Sequence, residues 1–325
     1  MISVLPCYRI TALLSLSDRC FESPASVSIY YFPYMTQRIS SNKIAKNISF
    51  PLITLSSYQK QAFRNKLYSY FTAHCRDLPW RKTSDPYRVL ISEIMLQQTQ
   101  VDRVISKYEE FIAAFPNFNA LNNANLSRVY AVWQGMGYNR RALSLKRIAE
   151  KVISEHAGEL PQSVHILSTF PGIGTATASS ICAFAFDIPA VFIETNIRSV
   201  FIHFFCKNRE FVADKEIIEL VQQTIDMKHP RKWYSALMDY GAMLKKTHAN
   251  PSRQSAGHVV QSPFIGSRRQ VRGVIMKVLC EQPGLTAQQL GKRIDIAAVT
   301  QIKDIADTLC REGLLVKVKR RYRIA

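Results

Sequence analysis

Across residues 57–244 apolar side chains recur at spacings of three and four, and no stretch alternates convincingly in period two. That pattern restricts this part of the chain to packed helices. Short punctuators divide the run: Pro116-Asn117, Gly135-Met136-Gly137, Pro161, Pro171-Gly172 and Pro189. Asp85-Pro86 marks one helix start. An aspartate can cap free amides there, and a proline at the first helical position gives up no needed N–H. The helix that follows carries Val89, Leu90, Glu93, Ile94 and Leu96.

A chain of 325 residues has room for two or three packed domains, and the flanks of the helical region read differently from it. Residues 1–56 mix Ser, Tyr and Pro with short apolar runs. A cleavable signal fits poorly, since Asp18 and Glu22 follow early; a later start at Met35 is the alternative. This segment is expected to be a poorly ordered extension without a function of its own. Residues 245–267 turn polar, with Pro251, Pro263 and several serines, and suggest a linker. Residues 268–325 then read as a separate unit: a helix over 268–280, a Pro283-Gly284 turn, a short helix capped by Thr286, a helix over 300–311 and an alternating basic tail. That order predicts a winged-helix-like, DNA-binding module; a helical protein-interaction domain is the alternative.

The chain carries 43 Lys+Arg against 24 Asp+Glu, a formal charge of +19. Such an excess suits a polyanion, nucleic acid being the commonest, though a solubilising surface or an acidic protein would also account for it. No apolar stretch approaches the roughly eighteen residues that span a bilayer, so no membrane partner is expected. The seven cysteines are scattered, with no pair at CxxC spacing, which points away from zinc and from a disulfide framework. Reduced thiols fit a cytoplasmic, nucleoid-associated protein.

The sharpest motif is Phe170-Pro-Gly-Ile-Gly-Thr175, leading into Ala176-Thr-Ala-Ser-Ser-Ile181. Around Gly172, Ile173, Gly174 and Thr175 a turn enters a helix with few side chains in the way. Backbone N–H groups there can approach a phosphate, and hairpin carbonyls can hold a monovalent cation. Taken alone, the run is equally an ordinary tight turn.

Its context decides. Ile91-Ser-Glu-Ile-Met-Leu-Gln-Gln-Thr-Gln-Val101 resembles the catalytic segment of the adenine DNA glycosylase (MutY) family. Arg76-Asp-Leu-Pro-Trp-Arg-Lys82, Trp133-Gln-Gly-Met-Gly-Tyr138 and Met238-Asp-Tyr-Gly-Ala-Met243 resemble the same family, in order, across residues 57–244. The resemblance implies an all-α helix-hairpin-helix DNA glycosylase fold of two helical subdomains, here with the C-terminal winged-helix-like module added. It implies Glu93 as general acid. It also implies a second carboxylate past the hairpin, where the family has Asp and this chain has Glu194. Gln98 matches a position that wedges into the base stack, and Arg81 and Tyr138 match positions near the extruded base or its mispair partner.

The chemistry suits those residues. A base to be cut from its sugar must leave the stack, take up a proton, and leave behind a positive sugar that a carboxylate can face. Glu93 stands between Ile91 and Ile94 on a largely apolar helix, and burial there would keep it protonated. Relatives with lyase activity carry a lysine where this chain has Ala176, so no lyase is expected. Relatives also hold a [4Fe–4S] cluster on four cysteines after the position of Gly241; none stands here from Gly241 to Leu279, and no cluster is expected. The expected function is therefore monofunctional excision of adenine opposite guanine or 8-oxoguanine, by a monomer acting on double-stranded DNA with mispairs or damaged bases and requiring no cofactor. A glycosylase for thymine or uracil opposite guanine, and a non-catalytic mismatch-binding protein, are the alternatives.

Overall fold

The computed structural model describes residues 53–207, 209–255 and 263–325. Met35 and the signal reading lie outside the described residues. The last four residues of the expected extension do not: Gln223 brackets them, its Oε1 accepting from the Leu55 N–H and its Nε2 donating to the Ile53 carbonyl, both at 2.9 Å. Ser56 caps the first helix, so the folded chain begins earlier than composition suggested.

The described helices are α1 (Ser57–His74), α2 (Pro86–Leu96), α3 (Val101–Ala114), α4 (Phe118–Asn123), α5 (Leu126–Trp133), α6 (Arg140–Glu155), α7 (Val164–Leu167), α8 (Thr175–Phe186), α9 (Thr195–Phe205), α10 (Asp214–Thr224), α11 (Pro230–Thr247), α12 (Arg268–Glu281), α13 (Ala287–Gly291) and α14 (Val299–Arg311). Several starts fall at capping side chains. Asp85 accepts from the Tyr87 N–H, Asn117 from Ala120 and Asn125 from Arg128.

The apolar faces build two cores, which are the two helical subdomains. One gathers Leu90 and Ile94 of α2, Phe111 of α3, Trp133 of α5, Ile148 of α6 and Ile181 of α8. The other gathers Phe63 and Leu67 of α1, Phe201 of α9, Leu220 of α10, and Trp233 and Tyr234 of α11. Helix α8 serves both, because its Ala183 belongs to the second core. Helix α2 packs along α8.

The C-terminal residues set α12, α13 and α14 beside a small sheet, in the order of a winged helix. Strands β1 (Leu285–Thr286), β2 (Leu315–Val318) and β3 (Arg321–Ile324) pair antiparallel in the order β1-β3-β2, with Leu315 opposite Ile324 and Leu285 opposite Tyr322. The module is not separate, however. Val271 and Ile275 of α12 and Leu309 of α14 belong to the same apolar cluster as α5 and α6, and α12 packs on α5.

Of the expected linker, residues 256–262 lie outside the described residues, and the part before them is ordered. Its first residues complete α11, and residues Pro251–Gln254 form a 3₁₀ turn packed on α9. The Asn250 side chain satisfies the polar groups that burial would strand. Its Oδ1 accepts from the Ser252 N–H (3.1 Å) and the Ser252 hydroxyl (2.8 Å). Polarity marks this stretch as internally bonded rather than solvated.

One buried cation holds the first subdomain's working loops. Arg141, 7% exposed, lies in the first turn of α6 and donates from Nη1 to the carbonyls of Ile94 (3.0 Å), Met95 (2.7 Å) and Gln97 (2.6 Å). From Nη2 it donates to Met136 (3.0 Å) and Gly137 (3.2 Å). It thereby closes the C-terminal end of α2 and fastens the 135–138 loop to it. Burial pulls its pKa down to about 10, and nearby Tyr138 works the other way. Arg141→Met should remove the donor these carbonyls share, leaving those of Met95 and Met136 with none at the helix end and the loop, and cost about 3 kcal/mol; urea unfolding with an unmoved midpoint would contradict this.

Candidate active site

Helix α2 is apolar on nearly every face, yet Glu93 lies within it. The residue points at α8, where Ser180, 4% exposed, places its hydroxyl oxygen 2.6 Å from Glu93 Oε2. Burial pushes the Glu93 carboxyl up to about 7; the hydrogen bond with Ser180 works against that, and the charge of Glu194 adds to it. Glu93 therefore combines a place on the cavity wall with the proton affinity of a buried acid.

Glu194 is the N-cap of α9. Its Oε1 accepts from the Asn196 N–H (2.7 Å) and the Ile197 N–H (3.0 Å), and its Oε2 from Asn196 Nδ2 (3.3 Å). Burial pushes its carboxyl up, against the pull of Lys245 and of the Ile197 and Asn196 amides. The capping role and the place in the site are held by one side chain.

Both carboxyls line a cavity of about 530 Å³, together with Gln98, Ala176, Thr177 and Lys245. Burial lowers the Lys245 pKa, while Glu194 raises it. The cavity lies where α2 and α8, from the first core, meet the start of α9 and the end of α11, from the second.

The hairpin adjoins it. Gly172 has φ +79°, and a Cβ there would sit 2.7 Å from the Ser144 hydroxyl of α6, so both backbone and space require glycine. Ile173 is buried and anchors the turn, while Gly174 opens α8 without a side-chain cap and Thr175 is exposed in its first turn. Gln97 ties the hairpin to α2: its Nε2 is 3.2 Å from both the Gly172 carbonyl and the Thr177 hydroxyl. Gln98, next along, takes a left-handed backbone at φ +55° and borders the cavity.

Two expected pocket residues stand differently. Arg81 lines the cavity, but its guanidinium is held by Asp239 of α11, Nη1 to Oδ2 at 2.7 Å and Nη2 to Oδ1 at 2.8 Å, with Arg76 on the same carboxylate. Burial would raise the Asp239 carboxyl, but Arg81 and then Arg76 hold it below its ordinary value. Through this pair Arg81 joins α11 to the segment before α2. Tyr138 does not line the cavity. Its ring lies under Arg141, and its hydroxyl accepts from Arg269 of α12 at 3.2 Å. Ser180, Lys245 and Arg141 were not singled out by sequence reasoning. Their partners lie far along the chain, and only Ser180 fell inside a recognised motif.

Comparison with known proteins agrees with this architecture. The family described as "HhH-GPD superfamily base excision DNA repair protein" matches residues 91–227. The adenine DNA glycosylase of Mycolicibacterium smegmatis is 30% identical over 231 residues, 66% of this chain and 79% of that protein. The chain belongs to the adenine DNA glycosylase family. Within that family, the enzyme of Buchnera aphidicola (subspecies Baizongia pistaciae) is 36% identical over 173 residues, 52% of this chain, and that of Mus musculus 34% over 229, 65% of this chain. The matches span 48% and 43% of those relatives, so this chain corresponds to about half of their length. Among solved structures, a thermostable thymine-DNA glycosylase superposes with a TM-score of 0.51 at 26% identity, over 57% of this chain and 86% of that one.

The residues here do not fit an iron–sulfur cluster. The chain has no cysteine from Gly241 to Leu279, and the 3₁₀ turn with Asn250 and Ser252 packs on α9 after α11. Among the described residues no group of three His, Cys, Asp or Glu side chains could hold a metal, and no helix is long and apolar enough to cross a membrane.

Gly241 sets the approach of α11 to the start of α9, since a Cβ there would run into the backbone carbonyl of Asn196. Gly241→Ala should force the Glu194 cap away from α11 and cost about 1–3 kcal/mol through overpacking. Differential scanning calorimetry checks this, and an unchanged transition would show that the helices move apart freely.

Proposed function

We propose that this protein is a monofunctional DNA glycosylase that removes adenine mispaired with guanine or 8-oxoguanine, leaving an abasic site and an unbroken strand. The observation that carries the reading is Glu93: a carboxyl enclosed between α2 and α8 with its pKa raised to about 7, bordering a cavity that also holds Glu194 and adjoins the hairpin. Family membership makes adenine the base to test first.

The two carboxyls differ in what surrounds them. Glu194 accepts two backbone N–H bonds and faces Lys245, and all of these favour its charged form. Glu93 has only the Ser180 hydroxyl, and in this reading it is the one that carries the acid proton. In the proposed reaction Glu93 gives that proton to a ring nitrogen of the extruded base, and the electron pair of the N-glycosidic bond leaves with the base. The Glu194 carboxylate faces the positive charge left on the sugar. A water oxygen then adds to the sugar carbon, and its released proton restores Glu93. Ala176 borders the cavity where a lyase lysine would stand.

The uncapped start of α8 would take a DNA phosphate on its first-turn amides. The carbonyls of Phe170 and Gly172 accept from the Ile173 N–H and from Gln97, and their remaining lone pairs would hold a monovalent cation beside it. The basic wing, with Lys319, Arg320, Arg321 and Arg323, would add phosphate contacts. The protein would act as a monomer on duplex DNA, without an iron–sulfur cluster, in the cytoplasm. A thymine or uracil glycosylase is the second reading, favoured by the likeness to a thymine-DNA glycosylase structure.

A panel of mispaired duplexes, treated with alkali after incubation, separates these readings. Adenine should be lost opposite guanine or 8-oxoguanine. Release should fall above about pH 7, as Glu93 loses its proton, and fall again in acid as Glu194, whose carboxyl burial pushes up, takes one on. Glu93→Gln should slow it on the order of 10²- to 10⁴-fold with duplex binding kept. Loss of thymine instead would favour the second reading, and near-parental release by the variant would remove Glu93 from the mechanism.

Glu194 allows a finer test, because capping and charge can be parted. Glu194→Gln keeps an oxygen for the Asn196 and Ile197 amides and removes the charge, so the fold should survive while base release falls about tenfold or more. Glu194→Asp keeps the charge with a shorter reach and should also be slower than the parent. Full activity in the Gln variant, measured in single turnover, would make the carboxylate a cap and nothing more.

A further inference from the structure

The Ser180 hydroxyl has two acceptors and one proton. Its oxygen lies 2.6 Å from Glu93 Oε2 and 2.9 Å from the Thr177 carbonyl one turn earlier on α8. Both contacts are short enough to be hydrogen bonds, but the hydroxyl can donate only one of them. Two arrangements satisfy the geometry. In one, Ser180 donates to the Thr177 carbonyl and its oxygen accepts a proton carried by Glu93 Oε2. In the other, Ser180 donates to Oε2, and any proton on Glu93 must then sit on Oε1, the oxygen for which the described residues supply no hydrogen bond.

We propose that Ser180 is the positioning residue of the acid: by donating its single proton to Glu93 Oε2 in place of the Thr177 carbonyl, it leaves Oε1 as the oxygen that takes up the acid proton from water, and it stabilises the carboxylate left after that proton is transferred. The proposal rests on the reading of Glu93 as a general acid. The hydroxyl keeps its own proton throughout: the proton that moves to the base comes from Glu93 Oε1, and the bond from Ser180 becomes charge-assisted as that proton departs. An interaction that strengthens as charge develops favours the transition state over the ground state. Rotation leaves the Thr177 carbonyl within the helix ladder of α8, so the change of partner costs little.

The other charged groups bordering the cavity are Arg76 and Arg81 from the segment before α2, Glu194 at the start of α9, and Arg231 and Lys245 on α11. Arg76 and Arg81 are held by Asp239. Glu194 opposes ionisation of Glu93, and Ser180 is the group that favours it.

Two measurements on the full chain test this. The first follows the Glu93 carboxyl by ¹³C NMR titration of the protein without DNA. Ser180→Ala, a substitution suited to a helix interior, should raise its midpoint by about one pH unit. The second is single-turnover base release across pH on a saturating duplex. Ser180→Ala should shift the alkaline limb upward and lower the maximal rate about tenfold, and Ser180→Thr should restore both. An unmoved midpoint overturns the proposal, as does a lowered maximal rate with an unmoved alkaline limb, which would mark Ser180 as structural. The titration does not depend on which base is excised, so failure of adenine release by the parent would overturn the substrate and leave the Ser180–Glu93 result standing on its own.

Discussion

A buried guanidinium organises the part of the molecule on which the site depends. Arg141 is surrounded by carbonyls, not carboxylates, and its hydrogen bonds join the end of α2 to a loop that is distant in sequence. Helix ends normally leave their last carbonyls to water. Here the end of α2 is closed from inside the protein, which lets Gln97 and Gln98 turn sharply without exposing the core. Gln97 then reaches the hairpin and Gln98 the cavity. The left-handed backbone of Gln98 is tolerable because the residues before it are held.

From this anchor the two carboxyls acquire different characters. Glu93 is carried on a helix whose other faces are apolar, and its only hydrogen-bonding neighbour among the described residues is a hydroxyl. Glu194 stands at a helix start, where amides and the helix dipole favour charge. One cavity thus holds two buried carboxyls with unlike hydrogen-bond donors, with the difference set by backbone position.

Much of this was legible in the chain. Helical spacing, capping residues and punctuators located the helices, and the turn at Gly172 and the apolar setting of Glu93 followed from local pattern. Contacts between distant segments were not legible. Arg81 resembles a pocket residue in its motif, and nothing in that motif announces its bond to Asp239, 158 positions later. Tyr138 meets Arg269 of a helix that sequence reading assigned to another unit. Ser180 is an unremarked serine until α8 is laid beside α2. The polar stretch after α11 read as linker because side-chain bonding to its own backbone cannot be told from solvation by composition.

The core shared between α5, α6 and the C-terminal module has a consequence for any polyanion that touches both the hairpin and the wing. Two sites joined by a flexible tether meet a ligand in succession, and the second contact depends on how often the tether brings it into range. Here there is no such search, because α12 is packed against the body that carries the hairpin. The spacing between the two surfaces acts as a fixed ruler, and a ligand too short or too bent to match it loses the second contact altogether.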